Sequence, residues 1–285
     1  MEGKEFYELY NEAGLKSFMI DGRFWVKFNN YFVQHIPSLE NIKITKAEEF
    51  NVIFCTKSLL GSYIEEKSKN KNSIEYIYDG KSYDIELFNS KTRNQIKKGL
   101  KYCNVKRPSR QEMEYNALNI NKMVMKKQKR KSFLEDQKSW VPYINYLYER
   151  NDVNIWGAYF HNNLIAYLII IRTKGKVYIY HPFMNYNYSE YNPIMALLYN
   201  AVNEELKYKN IISYGLKSYK ELNSLDHFKK NLLFKEVSVQ RSIFVSNKIE
   251  FIFSNTIDSL VEYGKTIKII PKQYSEAYSL LKSSR

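Results

Sequence analysis

The sequence is poor in the residues that mark disulfide-rich, fibrous and disordered chains. Its 285 residues include two cysteines, ten glycines and six prolines. Cys55 and Cys103 cannot form a disulfide framework, and they suit a reducing compartment. Low glycine and proline content argues against a collagen-like or low-complexity chain. With 44% hydrophobic and 16% aromatic residues, the chain can bury the core of one large domain or two ordinary ones.

Long hydrophobic segments are also missing. The longest apolar run, 164–171, has eight residues, whereas a helix that crosses a bilayer needs about 20. The first ten residues, MEGKEFYELY, are charged and contain no apolar stretch of the kind found in secretory signals. We therefore expect a soluble, cytoplasmic protein without a transmembrane segment.

Acidic residues are scarce in residues 91–132, which we call the basic stretch. It carries 14 Lys and Arg against two Glu, a net charge of +12, while the rest of the chain has 30 basic and 28 acidic residues. Such a patch attracts phosphates, whether in nucleic acid, an anionic membrane surface or a phosphorylated carrier. For its densest part, MKKQKRKS (125–132), a solvated lysine-rich face is an equally weighted alternative.

Motifs for metal binding and covalent catalysis are absent. None of the four histidines has a ligand-type partner at the spacing of a zinc site, so we expect no metal. No Walker loop, CxxC or nucleophile elbow occurs. Direct attack by a substrate amine or hydroxyl, without a covalent enzyme intermediate, would need no such nucleophile.

Hydrophobic periodicity and turn signals predict an α/β protein of two halves, 1–110 and 111–285, the second with a C-terminal extension. Each half is expected to have a mixed, largely antiparallel sheet flanked by helices. In the first half, the pattern predicts a helix over 4–13, a hairpin at Asp21-Gly22, a helix over 47–67, a hairpin at Asp79-Gly80, and a helix over 89–103 with Ile96, Leu100 and Cys103 buried.

The second half has the more complete pattern. It is predicted to contain a helix over 111–125, a loop over 126–139, a helix over 140–151 with Pro142 near its first turn, an antiparallel meander turning at Asn162-Asn163 and Lys174-Gly175, a helix with Pro193 in its first turn, a strand over 211–216, a helix from 224, and a strand over 234–246.

The helix in SLDHFKKNLLFKEV (224–237) carries a charge where none is expected. Leu225, Phe228, Leu232 and Leu233 have the spacing of one buried face, and Lys229 falls in the middle of it. An ammonium there is costly unless it meets an anion or reaches a wet cleft. The alternatives are that its stem reaches the surface or that it pairs with a buried carboxylate.

Five segments, taken together and in order, resemble the FemAB-like proteins of the GNAT-like (N-acetyltransferase-like) acyltransferase superfamily. They are SKTRNQIKKGLKYC (90–103), WGAYFHNNLIAYLIII (156–171), NPIMALLYNAVNE (192–204), ISYGLKS (212–218) and LDHFKKNLLFKEV (225–237). The resemblance implies two GNAT-like units in one molecule. It also implies transfer of an acyl or aminoacyl group from acyl-CoA, such as acetyl-CoA, or from aminoacyl-tRNA.

The resemblance also implies roles for individual residues. Phe228 and Lys229 match a pair that faces the reaction site, where the lysine steadies negative charge on a phosphate or an acyl oxyanion. Arg93 matches the basic helix and could reach a carrier phosphate; a surface ion pair is the alternative. Where acetyltransferases have a glycine-rich phosphate cradle, this chain reads NYNYSEYNP (185–193), with Glu190 and without glycine. The hydrogen-bonding residues there are Ser189, Tyr191 and Asn192. The family's glycine before phenylalanine is replaced by Leu233.

Other residues would border a cleft between the halves. His181 ends a strand before the carrier junction and could act as a general base near neutral pH, although a satisfied loop histidine is the favoured alternative. Tyr180 and Tyr214 would line the cleft. Trp140 would wall the acceptor groove, or serve as a plain hydrophobic anchor.

Two functions follow from these features. The leading one is an acyltransferase that moves an acyl or aminoacyl group from a phosphate-bearing carrier to an amine or hydroxyl of a cell-envelope precursor or sugar. The second is a non-catalytic protein that binds RNA, such as tRNA, through residues 91–132 on a degenerate GNAT-like fold. A third possibility is peripheral contact of the basic stretch with an anionic membrane, which would bring the protein to a lipid-linked precursor.

Overall fold

A computed structural model describes residues 1–29, 31–66, 71–208, 211–217 and 223–246 of this α/β protein. Its helices are α1 (Gly3–Glu12), α2 (Lys46–Thr56), α3 (Ser90–Tyr102), α4 (Arg110–Glu112), α5 (Leu118–Gln128), α6 (Gln137–Tyr148), α7 (Pro193–Leu206) and α8 (Asn223–Asn231). Its strands are β1 (Lys16–Ile20), β2 (Arg23–Lys27), β3 (Phe32–Ile36), β4 (Asn41–Ile42), β5 (Leu60–Glu65), β6 (Ser73–Tyr78), β7 (Asn104–Lys106), β8 (Val153–Phe160), β9 (Asn163–Arg172), β10 (Val177–Met184), β11 (Ile212–Leu216), β12 (Lys235–Val239) and β13 (Arg241–Val245).

The chain forms two compact units. The first comprises the described parts of 1–14, 75–215 and 223–236, and the second those of 15–74, 216–222 and 237–285. This division differs from the predicted boundary at residue 110. The reason is pairing between distant segments: β6 joins the sheet that contains β11 and β12, and β13 pairs with β5. Residues 247–285, which contain the predicted C-terminal extension, lie outside the described part.

The second unit is built on a mixed sheet in the order β1-β2-β3-β5-β13, with β4 also paired to β5. The hairpin predicted at Asp21-Gly22 is confirmed. Both residues have positive φ, as a tight hairpin turn of this type requires. Helix α2 starts at a capping box, because the Thr45 side chain accepts from the Glu48 N–H and the Glu48 carboxylate accepts from the Thr45 N–H. Its buried side chains, Val52 among them, complete the core.

The first unit is built on a seven-stranded sheet in the order β12-β6-β11-β10-β9-β8-β7. The predicted meander is confirmed, because β8, β9 and β10 pair antiparallel in sequence order. Helix α7 then begins with Pro193 in its first turn, as predicted, and leads to β11, which runs parallel to β10. In the described part, β10 and β11 pair only at Val177–Ile212 and Tyr178–Ser213, and β10 bulges between Tyr180 and Phe183. The predicted α/β class with two mixed, largely antiparallel sheets flanked by helices is confirmed.

Several local predictions are wrong for identifiable reasons. The helix predicted over 47–67 ends at Thr56, because Lys57 adopts a left-handed conformation, and β5 follows. No hairpin forms at Asp79-Gly80, since β6 runs instead into a short 3₁₀ helix at Ile85–Leu87. The single strand predicted over 234–246 is two strands, β12 and β13, which belong to different sheets. The predicted helix over 111–125 is longer: α4 passes through a π-helical segment, Met113–Ala117, into α5.

None of the described helices is long and apolar enough to cross a membrane. In the same described part, no three His, Cys, Asp or Glu side chains come together as a metal-binding group.

Helix α3 lies against the start of α7 at unusually short range. Gly99 is buried, and a Cβ added there would lie 2.7 Å from the carbonyl oxygen of Asn192 and 3.1 Å from the backbone nitrogen of Ala196. Its neighbour Leu100, predicted to be buried, is exposed. The contact face of α3 is therefore Thr92, Ile96 and Gly99.

This packing predicts that replacing Gly99 by alanine destabilises the protein, although alanine has the higher helix propensity. Alanine at an exposed helical position is more stable than glycine by about 1 kcal/mol. We expect Gly99→Ala instead to lower the free energy of unfolding by about 1–3 kcal/mol, because backbone atoms of α7 must move to admit the methyl group. The measurement is urea denaturation followed by circular dichroism. Gly175→Ala is the matched control, since a Cβ there meets nothing within 4 Å; an equal effect of the two substitutions would contradict the close approach.

Candidate functional site

Lys229 is buried beneath two tyrosine rings. Its side chain on α8 is 3% exposed, and Nζ lies 4.6 Å from the ring centre of Tyr76 on β6 and 5.3 Å from that of Tyr214 on β11. Cation–π contacts of this kind are worth roughly 0.5–2 kcal/mol each, more when they are desolvated. The position of Lys229 on the buried face of α8, predicted from the sequence, is therefore confirmed. There the ammonium lies against the faces of two tyrosine rings.

Carboxylates complete the surroundings of the lysine. Asp226, one turn earlier on the same face, is 7% exposed, and its Oδ1 has no hydrogen-bond partner in the described part of the chain. The Tyr76 hydroxyl donates to Glu236, which also pairs with the exposed Lys230 at 2.8 Å. Burial lowers the pKa of Lys229 to about 8, and the nearby Asp226 charge opposes that shift. At neutral pH the lysine is therefore mostly an ammonium, but one that gives up its proton readily.

At the end of α8, Leu233 stands where the FemAB-like pattern has a glycine. Leu233 has φ +64°, in the left-handed region that favours glycine. The Phe234 N–H donates to the Lys229 carbonyl, and the Leu233 N–H donates to the Lys230 carbonyl, which together form a Schellman end. The backbone conformation is thus the one a glycine would adopt, and leucine holds it at a cost of about 1 kcal/mol or more. This turn places Phe234 against Tyr214, with ring centres 5.3 Å apart.

His181 occupies the bulge of β10. It has φ +49°, and its Nε2 shares a hydrogen bond of 3.1 Å with the hydroxyl of Tyr143 on α6. The Tyr180 ring lies 5.7 Å away. Burial, and then the charge of Arg130, lowers the pKa of His181 to about 3. Both causes disfavour the protonated ring, so His181 is neutral near pH 7, and its role as a general base stays a prediction.

The predicted carrier junction forms a 3₁₀ segment, Tyr186–Tyr191, followed by Asn192 in the left-handed region. Ser189 is exposed. The Tyr191 ring stacks on Phe160 at 4.3 Å, and the Asn192 side chain donates to the Glu190 carbonyl. The Asn192 N–H donates to the Ser189 carbonyl, the Met195 N–H to the Asn192 carbonyl, and Pro193 has no N–H. Two N–H groups of this junction are thus used within the chain and a third position has none, which leaves fewer donors for a pyrophosphate than a glycine-rich cradle presents.

Two other predicted site residues have structural partners. Arg93 forms an ion pair with Glu86 at 2.6 Å and donates to the Phe88 carbonyl, so the ion-pair alternative is what the structure shows. Trp140 is 0% exposed and donates from its indole N–H to the Met113 carbonyl at 2.7 Å. It is a core residue, not the wall of a groove, and its partner lies in the π-helical segment.

The ten predicted site residues all belong to the first unit, but they form separate groups. Lys229, Phe228 and Tyr214 are together at α8, with a ring distance of 6.4 Å between the two aromatic residues. Tyr180 and His181 are together at the β10 bulge. Ser189, Tyr191 and Asn192 precede α7, while Arg93 and Trp140 have the partners described above. Three residues of these groups, Tyr76, Asp226 and Tyr143, are not predicted from the sequence. Of these, only Asp226 carries a local signal, its i−3 spacing from Lys229.

Five basic side chains of the basic stretch lie over tyrosine rings. The Nζ of Lys127 is 3.4 Å from the ring centre of Tyr186, and that of Lys106 is 4.4 Å from Tyr159. Arg107 and Arg110 both lie over Tyr148, with guanidinium carbons 5.3 and 5.7 Å from its ring centre. The positive charge is therefore interleaved with tyrosine rings; Tyr159 is buried, whereas Tyr148 and Tyr186 are partly exposed, as rings that stack with bases must be.

The buried ammonium predicts a specific pH dependence of stability. The folded-state pKa of Lys229, about 8, lies below its ordinary value of 10.5, so the unfolded chain binds more protons in this interval and stability rises with pH. Relative to Lys229→Met, we expect the wild-type free energy of unfolding to rise by up to about 3 kcal/mol between pH 8 and 10.5. Urea denaturation at several pH values measures this. Lys230→Met is the control for the general effect of losing one charge. A difference in the free energy of unfolding between wild type and Lys229→Met that does not change with pH would contradict the burial of the ammonium.

No protein-family model matches the sequence, and no curated protein sequence matches it significantly. Solved structures show a clear likeness of fold. The structure of FemX matches with a TM-score of 0.59 and 9% identity, covering 90% of this chain and 94% of that chain. A conserved protein of unknown function from Bacteroides thetaiotaomicron matches with a TM-score of 0.57 and 10% identity, covering 85% of this chain and 88% of that one.

A third match is the C-terminal DUF2156 domain of an Agrobacterium fabrum protein assigned as a lysylphosphatidylglycerol synthetase. Its TM-score is 0.54 at 7% identity, covering 85% of this chain and 88% of that chain. At these identities the likeness concerns the fold and not the chemistry. The FemAB-like fold that the five sequence motifs predict is therefore confirmed.

Proposed function

We propose that this protein is a transferase that moves an acyl or aminoacyl group from an activated, phosphate-bearing carrier to an amine or hydroxyl of a cell-envelope precursor or sugar. One observation carries the proposal. A FemX-like fold holds Lys229, 3% exposed, as an ammonium with a lowered pKa between two tyrosine rings. A buried charge of this kind is costly to the fold, which is typical of functional sites.

In this proposal the acceptor nitrogen or oxygen attacks the acyl carbonyl carbon directly. A bond forms to that carbon, and the carbonyl oxygen takes the negative charge beside the Lys229 ammonium. Collapse of the intermediate breaks the bond to the carrier, and the acceptor's proton passes through solvent to the leaving atom. One well-placed donor of this type is worth about 3–4 kcal/mol of barrier. Because Tyr76 and Tyr214 cover Nζ, the proposal requires one of these rings to turn aside before the carbonyl oxygen can reach the ammonium.

The carrier is better matched by a polyanion than by CoA. In the junction before α7, the Asn192 and Met195 N–H groups donate to carbonyls of the chain itself, and the Glu190 carboxylate repels phosphate. The basic stretch instead offers a charge of +12, interleaved with tyrosines. We therefore favour aminoacyl-tRNA over acetyl-CoA or longer acyl-CoA as the donor, with the basic stretch as its docking surface.

A second function rests on the same surface. The basic residues that lie over Tyr148, Tyr159 and Tyr186 would bind RNA whether or not transfer takes place. Contact of this stretch with anionic lipid stays a prediction.

Transfer activity tests the role of Lys229. We expect Lys229→Ala to lower kcat/KM by at least about 100-fold, because it removes the charge that faces the oxyanion. Lys230→Ala, which removes the neighbouring exposed charge, should retain activity. Candidate donors are screened first by thermal shift with tRNA species, acetyl-CoA and longer acyl-CoA. If Lys229→Ala transfers the group from the donor identified in this way as fast as the wild type does, the proposed role of Lys229 is wrong.

RNA affinity separates the carrier classes. We expect tRNA to bind with an affinity that falls steeply with salt, because lysines and arginines of the basic stretch displace counterions from phosphates. Replacing Lys106, Arg107 and Arg110 by glutamine should reduce the slope of log K against log salt by about 2–3. Indifference to tRNA, together with stabilisation by acetyl-CoA, would show that the carrier assignment is wrong.

A further inference from the structure

The hydroxyl of Tyr143 lies in the core beside the β10 bulge. Tyr143 is 0% exposed, and its hydroxyl has one hydrogen-bond partner in the described part of the chain, Nε2 of His181 at 3.1 Å. A buried hydroxyl rarely leaves its proton undonated. Because Nε2 is the hydrogen-bond partner of this hydroxyl in the described part of the chain, the chemistry favours Tyr143 as the donor and Nε2 as the acceptor.

This bond determines where the imidazole carries its own proton. A nitrogen that accepts a hydrogen bond has no proton, so a neutral His181 has its proton on Nδ1. Nδ1 makes no hydrogen bond to a described residue, and it is not fully buried. It therefore reaches solvent as an N–H donor. The side chain of His181 is itself only partly buried.

The positive charge of Arg130 acts on the His181 ring. The Arg130 guanidinium is close enough to disfavour protonation of the ring, and it is held by a hydrogen bond from Nε to the sulfur of Met125 at 3.3 Å. Lys127 lies nearby in the chain, over the ring of Tyr186. A neutral N–H beside a guanidinium can donate a hydrogen bond to an anionic oxygen whose charge the guanidinium attracts.

We infer that Tyr143 fixes His181 as the Nδ1–H tautomer, and that this N–H, with Arg130, binds an anionic oxygen of a carboxylate or phosphate at the β10 bulge. His181 is then a binding residue and Tyr143 is a positioning residue. Any use of this site in catalysis rests on the proposed function, in which the site would anchor a charged group of the donor or the acceptor. The tautomer and the binding can be measured without transfer activity.

The backbone supports this assignment. A histidine at φ +49° in the middle of a strand is strained, and such strain persists where the surrounding structure holds a functional residue. The bulge turns the side chain out of the regular alternation of the strand. Asparagine tolerates this conformation and keeps an N–H donor, whereas glycine tolerates it and offers none.

The tautomer is tested on the full-length protein labelled with ¹⁵N-histidine. We expect long-range NMR correlations to show Nδ1 of His181 protonated and Nε2 unprotonated near pH 7. The signal is assigned from its loss in His181→Asn. Tyr143→Phe should remove the hydrogen bond to Nε2 and move part of the proton to that nitrogen. A proton on Nε2 in the wild-type protein overturns the inference.

Binding is tested by titration with inorganic phosphate and, separately, with acetate, which distinguish the two sources of anionic oxygen. We expect one or both to shift the His181 Nδ1 signal saturably, and Tyr143→Phe or Arg130→Gln to weaken binding about tenfold. Calorimetry should show binding lost in His181→Gly and partly kept in His181→Asn. Equal binding by wild type and His181→Gly, or no binding of either anion by the wild type, refutes the site. Neither result depends on whether transfer activity is found.

Discussion

The buried ammonium of Lys229 is the constraint that organises the first unit. Removing a charge from water is costly, so the fold must surround it with groups that compensate. β6 supplies Tyr76, β11 supplies Tyr214, and α8 supplies the lysine together with Asp226. These elements are far apart in sequence, and they meet because β6 and β11 are neighbours in one sheet. The strained end of α8 at Leu233 then turns the chain into β12.

The β10 bulge is a second place where the fold accepts strain around a polar group. His181 holds a left-handed backbone conformation beside a buried tyrosine hydroxyl, and the ring stays neutral there. The lysine site provides a positive charge, whereas the histidine site provides a neutral donor next to cations. In the function proposed above, the lysine site would neutralise developing charge and the histidine site would anchor a charge already present.

The sequence predicted those parts of the fold that depend on local periodicity. The meander, α7 with Pro193 and the buried position of Lys229 all follow from spacing along one element. The strand β5 was missed because its apolar residues continue the pattern of α2, and only the left-handed Lys57 separates them. Tyr76 and Tyr143 carry no local signal, since their roles arise from sheet order and helix packing. Trp140 was ambiguous in sequence, because an indole suits a groove and a core equally well.

The central claim is that Lys229 is an ammonium held out of water, ready to meet developing negative charge. The most direct measurement is its titration by heteronuclear NMR of the lysine Nζ, assigned with Lys229→Met. The account predicts a pKa near 8. A pKa at the ordinary lysine value of about 10.4 would show an exposed side chain and would contradict both the site and the function proposed from it.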